Sequence, residues 1–267
     1  MIKAKKSFGQ NFLKDSNIIN KIVSSVNFTE NDLVIEIGPG KGALTKVLKE
    51  NNARVIAFEI DERMHEFLDK LEPDKVKVIY EDILKANLSN ILSTYKYDKL
   101  YVIANLPYYI TTPIIEKLIS LDIDIDQMTV MVQNEVADRF CAKAGTSDYG
   151  MMTLILNYKY DLSKLFVVSK YCFDPVPKVE SAVVSFKLKD KDSLIDTNIE
   201  NLKKFASLAF SHKRKTLRNN IGNELFNKIS DILESHNFDN NVRAEEIPLN
   251  VYAEICNKLY WNYKNMV

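Results

Sequence analysis

Only three cysteines, Cys141, Cys172 and Cys256, occur among 267 residues, far apart and with no CxxC pair. The histidines also number three and are scattered, so no metal-ligand spacing exists. Neither a disulfide framework nor a zinc centre is expected, and the cysteines read as small apolar residues. An excess of charge is missing too: 36 Lys and Arg balance 36 Asp and Glu, and the chain as a whole advertises no polyanionic partner. No apolar run approaches the ~20 residues that span a bilayer. The basic start, Met1 to Lys6, is followed by no signal-peptide apolar core. Internal repeats and low-complexity tracts are absent. A cytoplasmic protein without membrane contact is expected, monomeric by default.

What is present is ordinary globular composition, 46% hydrophobic and 27% charged. Short β-branched runs recur: Leu33–Ile37, Arg54–Glu59, Val76–Tyr80, Leu100–Ala104 and Met128–Val132. Continuous apolar runs of this length read as strands buried on both faces of a parallel sheet. Between them lie helical patterns, Leu44, Val47 and Leu48 in one, and Met64, Phe67, Leu68 and Leu71 in another that Asp61 can cap. Strand–helix alternation predicts an α/β fold with a doubly wound, mostly parallel sheet. Past residue 150 the pattern changes. Leu154–Phe166 and Ser181–Leu188 read as strands with an antiparallel edge. From about Thr197 the signal is helical, with a stripe at Ile199, Leu202, Phe205, Ala206 and Ala209, then helices over Glu224–His236 and Val251–Tyr260. The polar stretch Lys189–Ser193 is the candidate linker between domains 1–190 and 191–267.

Glu36-Ile37-Gly38-Pro39-Gly40-Lys41-Gly42 follows the first strand and opens the first helix. Glycines belong where backbone turns sharply and lets a ligand approach, ahead of the unpaired N–H groups of a helix start. Gly38, Gly40 and Ala43 also satisfy the dinucleotide-binding spacing. Glu59 ends the second strand, 21 residues after Gly38, where a carboxylate can accept from ribose hydroxyls. Asp82 follows the third strand, where it can accept from a cofactor adenine amine or simply cap a turn. Together these mark a nucleoside site, for a nicotinamide or a sulfonium cofactor alike.

After the fourth strand comes Asn105-Leu106-Pro107-Tyr108, the [D/N/S]-x-P-[Y/F] pattern of amino methyltransferases. An adenine exocyclic amine is a poor nucleophile, because its lone pair is delocalised into the ring. The Asn105 side-chain carbonyl and the Leu106 backbone carbonyl can accept its two hydrogens and aim the lone pair at a methyl donor. Pro107 fixes the turn, and Tyr108 offers a π-face to a flipped-out base. No general base is required before transfer, so no histidine is assigned; all three read as surface residues. No dehydrogenase needs this motif in fourth-strand position.

With these residues in view, the chain resembles the small-subunit ribosomal RNA adenine dimethyltransferases, the KsgA/RsmA type related to eukaryotic Dim-type enzymes, nearly end to end. Ser7-Phe8-Gly9-Gln10-Asn11-Phe12-Leu13 is similar to the family's opening motif, which implies cofactor contacts from Asn11 and Leu13. Gly38, Glu59, Asp82 and Asn105 fall on its other cofactor positions. Phe173-Asp174-Pro175-Val176-Pro177-Lys178-Val179-Glu180-Ser181 looks like its FxPxPKVxS loop, which implies that Phe173 faces Tyr108 across the target base. On its own, Phe173 reads as a buried residue beside an edge strand.

Phe210–Asn219 and Arg243–Leu249 look like the family's C-terminal signatures. They imply that Lys213, Arg214, Lys215 and Arg218 contact RNA phosphates, which position the substrate rather than read it. On charge alone that cluster is equally a solvated helix face. The resemblance implies a Rossmann-like class I methyltransferase fold with a small C-terminal all-helical RNA- or ribosome-binding domain, and S-adenosyl-L-methionine as cofactor. The implied substrate is two adjacent adenosines near the 3′ end of small-subunit rRNA, in an immature small ribosomal subunit. Related large-subunit resistance methyltransferases share the fold and the Asn-x-Pro-Tyr motif, but the C-terminal signatures argue for the small-subunit branch.

Overall fold

A computed structural model describes residues 10–71 and 75–264, the side chains of 261–264 excepted. Ser7, Phe8 and Gly9 of the opening motif, and Lys3, Lys5 and Lys6, lie outside the described residues. The elements in chain order are β1 (Phe12–Leu13), α1 (Ser16–Val23), β2 (Leu33–Ile37), α2 (Ala43–Glu50), β3 (Arg54–Phe58), α3 (His65–Leu68), β4 (Val76–Ile79), α4 (Leu88–Leu92), β5 (Leu100–Asn105), α5 (Thr111–Ile119) and β6 (Gln127–Gln133). There follow α6 (Asn134–Phe140), α7 (Met151–Lys159), β7 (Tyr160–Val168), β8 (Phe173–Asp174), β9 (Ser181–Leu188), α8 (Ile199–Ala209), α9 (Leu217–Ile221), α10 (Asn223–Asn227), α11 (Ser230–Ser235) and α12 (Leu249–Lys264).

The chain divides into two compact units. The first takes Met1–Ala137 with Ser163–Leu188, and the second Asp138–Leu162 with Lys189–Val267. The second unit therefore begins again close to the expected linker but also owns an earlier excursion, 138–162, that a single cut near 190 misses. The linker itself closes into a 3-10 turn at Lys191–Ser193.

A seven-stranded sheet runs in the order β4-β3-β2-β5-β6-β9-β7. Strands β4, β3, β2, β5 and β6 are mutually parallel, and β9 joins β6 antiparallel from Gln127↔Lys187 to Gln133↔Ser181. All five residues of β2 are buried, as a central strand covered on both faces demands. Successive strands run outward in one direction from β2 and in the other from β5, so the two form a topological switch point. Ligands bind outside the carboxyl ends of strands at such a point. A separate two-stranded ladder pairs Phe12 with Asp174 and Leu13 with Phe173.

In the second unit, α8 starts at Asn198, whose side chain accepts from the Glu200 and Asn201 N–H groups, and buries Leu202, Phe205, Ala206 and Ala209. Phe205 and Phe210 pack on Tyr252 with ring centroids 5.9 Å apart in each case.

Two expectations are corrected. Residues 154–159 belong to α7, and the strand begins only at Tyr160. A short apolar run such as Leu154-Ile155-Leu156 suits a buried helix as well as a strand, and here all three are buried within the helix. The single helix expected over Glu224–His236 is two, α10 and α11, broken at Ile229 with φ −121° and ψ 0°.

Candidate active site

The carboxyl ends of β2, β3, β4 and β5 open onto one cavity of about 390 Å³. Asn11, Leu13, Gly38, Gly40, Glu59, Asp82, Asn105, Leu106, Pro107 and Tyr108 all line it. Residues spread over nearly a hundred positions of sequence thus share one space.

The glycine turn builds its first wall. Gly38 leaves β2 with φ +68°, and its N–H donates to the Phe58 carbonyl at 2.9 Å, fastening the turn to the end of β3. Gly40 has φ +57°, and a Cβ there would stand 3.0 Å from two carbons of the Phe12 ring. Backbone is thereby held where a side chain has no room, and it faces the ligand space directly.

Glu59, just past β3, is buried. Its Oε2 accepts from the Gly40 N–H at 2.9 Å and its Oε1 from the Asp61 N–H at 2.8 Å. These bonds fix both oxygens and leave each with a further lone pair for hydroxyl donors. Burial pushes the Glu59 carboxyl above its usual range, and the two backbone donors pull against that shift. Neighbouring Asp61 is held down at about 2 by its hydrogen bonds with the Arg63 guanidinium, and Gln10 Nε2 donates to it at 2.9 Å.

Glu36 carries a signal that was present in sequence but given no role. It sits in the fully buried strand β2, lines the cavity, and its Oε2 has no hydrogen-bond partner. Burial raises its carboxyl to about 8. The nearby Thr45 hydroxyl opposes this without forming a bond of ordinary geometry, and the Glu59 charge adds to it. A carboxylate inside Leu-Val-Ile-Glu-Ile, one residue before the glycine turn, is the anomaly that marks it. An unsatisfied buried oxygen of this kind fits a ligand ammonium.

Asp82 caps a turn at the cavity edge. Its Oδ1 accepts from the Leu84 N–H at 2.9 Å, capping its own turn, while the residue also borders the cavity.

On the facing side, β5 ends at Asn105. The Asn105 Nδ2 donates to the Asn11 backbone carbonyl at 3.2 Å. With the amide nitrogen committed there, Oδ1 remains as the acceptor. The Leu106 N–H donates to the Met131 carbonyl at 3.1 Å, tying the motif to β6. Pro107, with φ −60° and ψ 125°, opens the 3-10 turn Tyr108–Ile110. Thr111 Oγ1 donates to the Pro107 carbonyl at 3.1 Å and locks the motif onto the first turn of α5. The Tyr108 hydroxyl meets Ser181 Oγ at 2.5 Å; burial raises this phenol, and the Ser181 bond opposes the rise.

Phe173 is the residue that the cavity does not receive. It is 0% exposed and packs in the core with Leu13, Val168 and Val183. Its pairing with Leu13 in the β1–β8 ladder turns the ring inward, and its neighbour Asp174 borders the cavity instead. The buried reading of Phe173 describes its position, and the base-facing one does not.

In the second unit, Lys213, Arg214 and Lys215 are exposed in the turn between α8 and α9, with no ion-pair partner among the described residues. Arg218 differs: its Nε donates to Asn223 Oδ1 at 2.7 Å and its guanidinium lies 5.5 Å from the Phe226 ring centroid. Among the described residues no group of His, Cys, Asp and Glu could hold a metal ion, and no helix is long and apolar enough to cross a membrane.

Known proteins resemble this chain over most of its length. Residues 1–260 match the model of the family described as ribosomal RNA adenine dimethylase. A ribosomal RNA small subunit methyltransferase A of Streptococcus thermophilus is 40% identical over 266 residues, covering 96% of this chain and 91% of that protein. The protein of the same name from Mycoplasma mycoides is 36% identical over 262 residues, covering 97% and 98%. A dimethyladenosine transferase from Plasmodium falciparum superposes with a TM-score of 0.75 at 27% identity, covering 95% of this chain and 98% of that one. The 23S rRNA methyltransferase ErmE superposes with a TM-score of 0.70 at 23% identity over 93% and 99%, a likeness of fold. With the family model matched over residues 1–260, the chain belongs to the ribosomal RNA adenine dimethylase family.

Proposed function

We propose that the protein uses S-adenosyl-L-methionine to N6,N6-dimethylate two adjacent adenosines near the 3′ end of small-subunit ribosomal RNA. One observation carries the reading: Asn105 is bonded through its amide nitrogen, which leaves its oxygen as an acceptor in the same cavity as the glycine turn and Glu59. That pairing of a nucleoside cradle with a hydrogen-accepting amide is what methylation of an exocyclic amine requires.

The residues present fit the cofactor. Glu59 would accept from the ribose hydroxyls, Asp82 from the adenine amine, and the orphaned Oε2 of Glu36 would meet the amino acid ammonium. Backbone at Gly38 and Gly40 would lie against its middle, with Asn11 and Leu13 closing one side. When bound, the cofactor supplies an electrophilic sulfonium methyl.

The chain's own contribution is orientation. Asn105 Oδ1 and the Leu106 carbonyl would each accept one hydrogen of the target amine, which turns its lone pair out of conjugation and toward the donor. Tyr108 would stack on the extruded adenine, its phenol end anchored by Ser181. Because no ionised base lies in this scheme, the proton released after transfer leaves to solvent. The second methylation runs with one of the two hydrogen bonds lost, since a monomethyl amine has a single hydrogen to give.

Lys213, Arg214 and Lys215 would contact phosphates of an immature small subunit, with Arg218 serving mainly to brace their turn. A cytoplasmic monomer suits that role. The test is methyl transfer from labelled S-adenosylmethionine to unmodified small subunits, large subunits and naked RNAs, followed by nucleoside analysis. Dimethyladenosine at adjacent small-subunit positions is expected; product confined to large-subunit RNA overturns the substrate assignment.

A further inference from the structure

Lys117 joins the two halves of this cavity without lining it. It lies in the second turn of α5, the helix that begins directly behind the Asn105–Ile110 motif and is locked to Pro107 by Thr111. Its Nζ donates to the Leu84 carbonyl at 2.9 Å and to the Ala86 carbonyl at 2.6 Å. Both carbonyls belong to the turn after β4 that presents Asp82 to the cavity.

The turn needs such a partner. Its N–H groups are spent inward: Leu84 N–H on Asp82 Oδ1, and Lys85 and Ala86 N–H on the Asp82 carbonyl at 2.8 and 3.0 Å. The Leu84 carbonyl is left to an outside donor, the Ala86 carbonyl accepts from the Leu88 N–H at 3.1 Å with a lone pair to spare, and a part-buried ammonium meets both. No carboxylate pairs with Lys117 among the described residues. The ammonium thereby ties the turn at two points to a rigid helix.

We propose that Lys117 is a positioning residue for cofactor recognition: it holds the Asp82 turn at the height where Asp82 accepts from the cofactor's adenine amine, and references that turn to the helix that carries the target-base motif. The assignment rests on the reading of the cavity as an S-adenosylmethionine site. A purely structural lysine would lower stability and weaken every ligand alike. A positioning lysine changes which ligand is preferred.

The experiment compares S-adenosylhomocysteine with its inosine counterpart, whose 6-oxo group replaces the amine, by titration calorimetry on the full chain. Wild type is expected to prefer the adenosyl compound by ~10-fold or more, the scale of one hydrogen bond to a charged acceptor. Lys117→Met should bring the two affinities within about 3-fold of each other, mainly by weakening the adenosyl compound. Lys117→Arg, which keeps donors for both carbonyls, should restore most of the preference. In turnover, Lys117→Met should raise KM for S-adenosylmethionine with kcat at saturation nearly kept. Lys117→Gln serves the same comparison if the methionine variant does not fold. Wild-type preference retained in Lys117→Met, or equal loss for both compounds, overturns the Lys117 assignment alone. Wild type binding neither compound overturns the reading of the cavity, and the Lys117 assignment with it.

Discussion

The Tyr108 hydroxyl and Ser181 Oγ stand 2.5 Å apart, joining the turn after β5 to the first residue of β9 across the β6 strand between them. Ser181 is 0% exposed and Tyr108 half-buried. The bond anchors the phenol end of the tyrosine ring.

That relationship predicts coupling. Ser181→Ala and Tyr108→Phe should each lower kcat/KM, and the double variant should lose less than the product of the two effects. The expected coupling is about 1 kcal/mol, or roughly 5-fold, the usual worth of one intramolecular hydrogen bond. A double-mutant cycle on methyl transfer measures it, and strict additivity would show that packing alone orients the ring.

Asn105→Ala should remove the amine acceptor while sparing the cofactor cradle, because Glu59, Asp82 and the glycine turn are held by bonds that do not involve it. The expected loss is about 10²- to 10³-fold in kcat, the scale for one preorganised polar group acting on a transition state. S-adenosylhomocysteine affinity should fall only a few-fold. Full activity in a tritiated-methyl assay would sink the mechanism.

Most of the fold and the cavity was legible in sequence, for identifiable reasons. Buried parallel strands announce themselves as apolar, β-branched runs, and β2, β3, β5 and β6 have that form, while the edge strand β4 interrupts its run with the exposed Lys77. The site residues follow strand ends, where chain order and function coincide. What stayed hidden depends on partners distant in sequence. The burial of Phe173 could be read from its surroundings, but the strand it pairs with could not: β8 meets β1, 160 positions earlier, and two-residue strands leave no periodicity to detect. The 154–159 helix was unreadable because an apolar run lacks a period when every side is covered. Lys117 was invisible for a third reason: two backbone carbonyls have no sequence signature.

Gly40→Ala tests the cradle. The left-handed φ of +57° penalises any Cβ, and the new methyl would press on the Phe12 ring at 3.0 Å. A stability loss of about 1–2 kcal/mol is expected from the conformation. Cofactor affinity should drop further than stability does, since Phe12 and Gly40 both border the cavity. Thermal unfolding with and without S-adenosylhomocysteine separates the two effects; an unchanged ligand-induced shift in Tm would remove Gly40 from the binding surface.

Glu36 makes stability depend on pH. Burial holds its carboxyl up at about 8 in the fold, against an ordinary value near 4.5 in the unfolded chain. Below pH 4.5 both states hold the proton and stability is unaffected. Between the two values only the unfolded chain releases it, so stability falls as pH rises, by about 1.4 kcal/mol per unit for one full proton. Glu36→Gln should flatten this decline in ligand-free protein between pH 5 and 8, as chemical denaturation at several pH values would record. Wild type and variant with parallel profiles would mean that Glu36 is already ionised in the fold.

The basic turn of the second unit makes the last prediction. Lys213, Arg214 and Lys215 are exposed and lack ion-pair partners among the described residues, whereas Arg218 is engaged with Asn223 and Phe226. Replacing the first three by glutamate should therefore cost binding and leave the fold intact, while Arg218→Ala should cost stability. Each phosphate contact contributes ~0.9 to the slope of log affinity against log salt on duplex nucleic acid, so the triple variant should lose ~2–3 from that slope. The measurement is RNA binding at several salt concentrations, with far-UV circular dichroism as the control for folding. Reduced affinity with an unchanged slope would point to altered shape rather than lost phosphate contacts. Unchanged affinity would return the turn to the status of solvated surface and move RNA binding elsewhere on the chain.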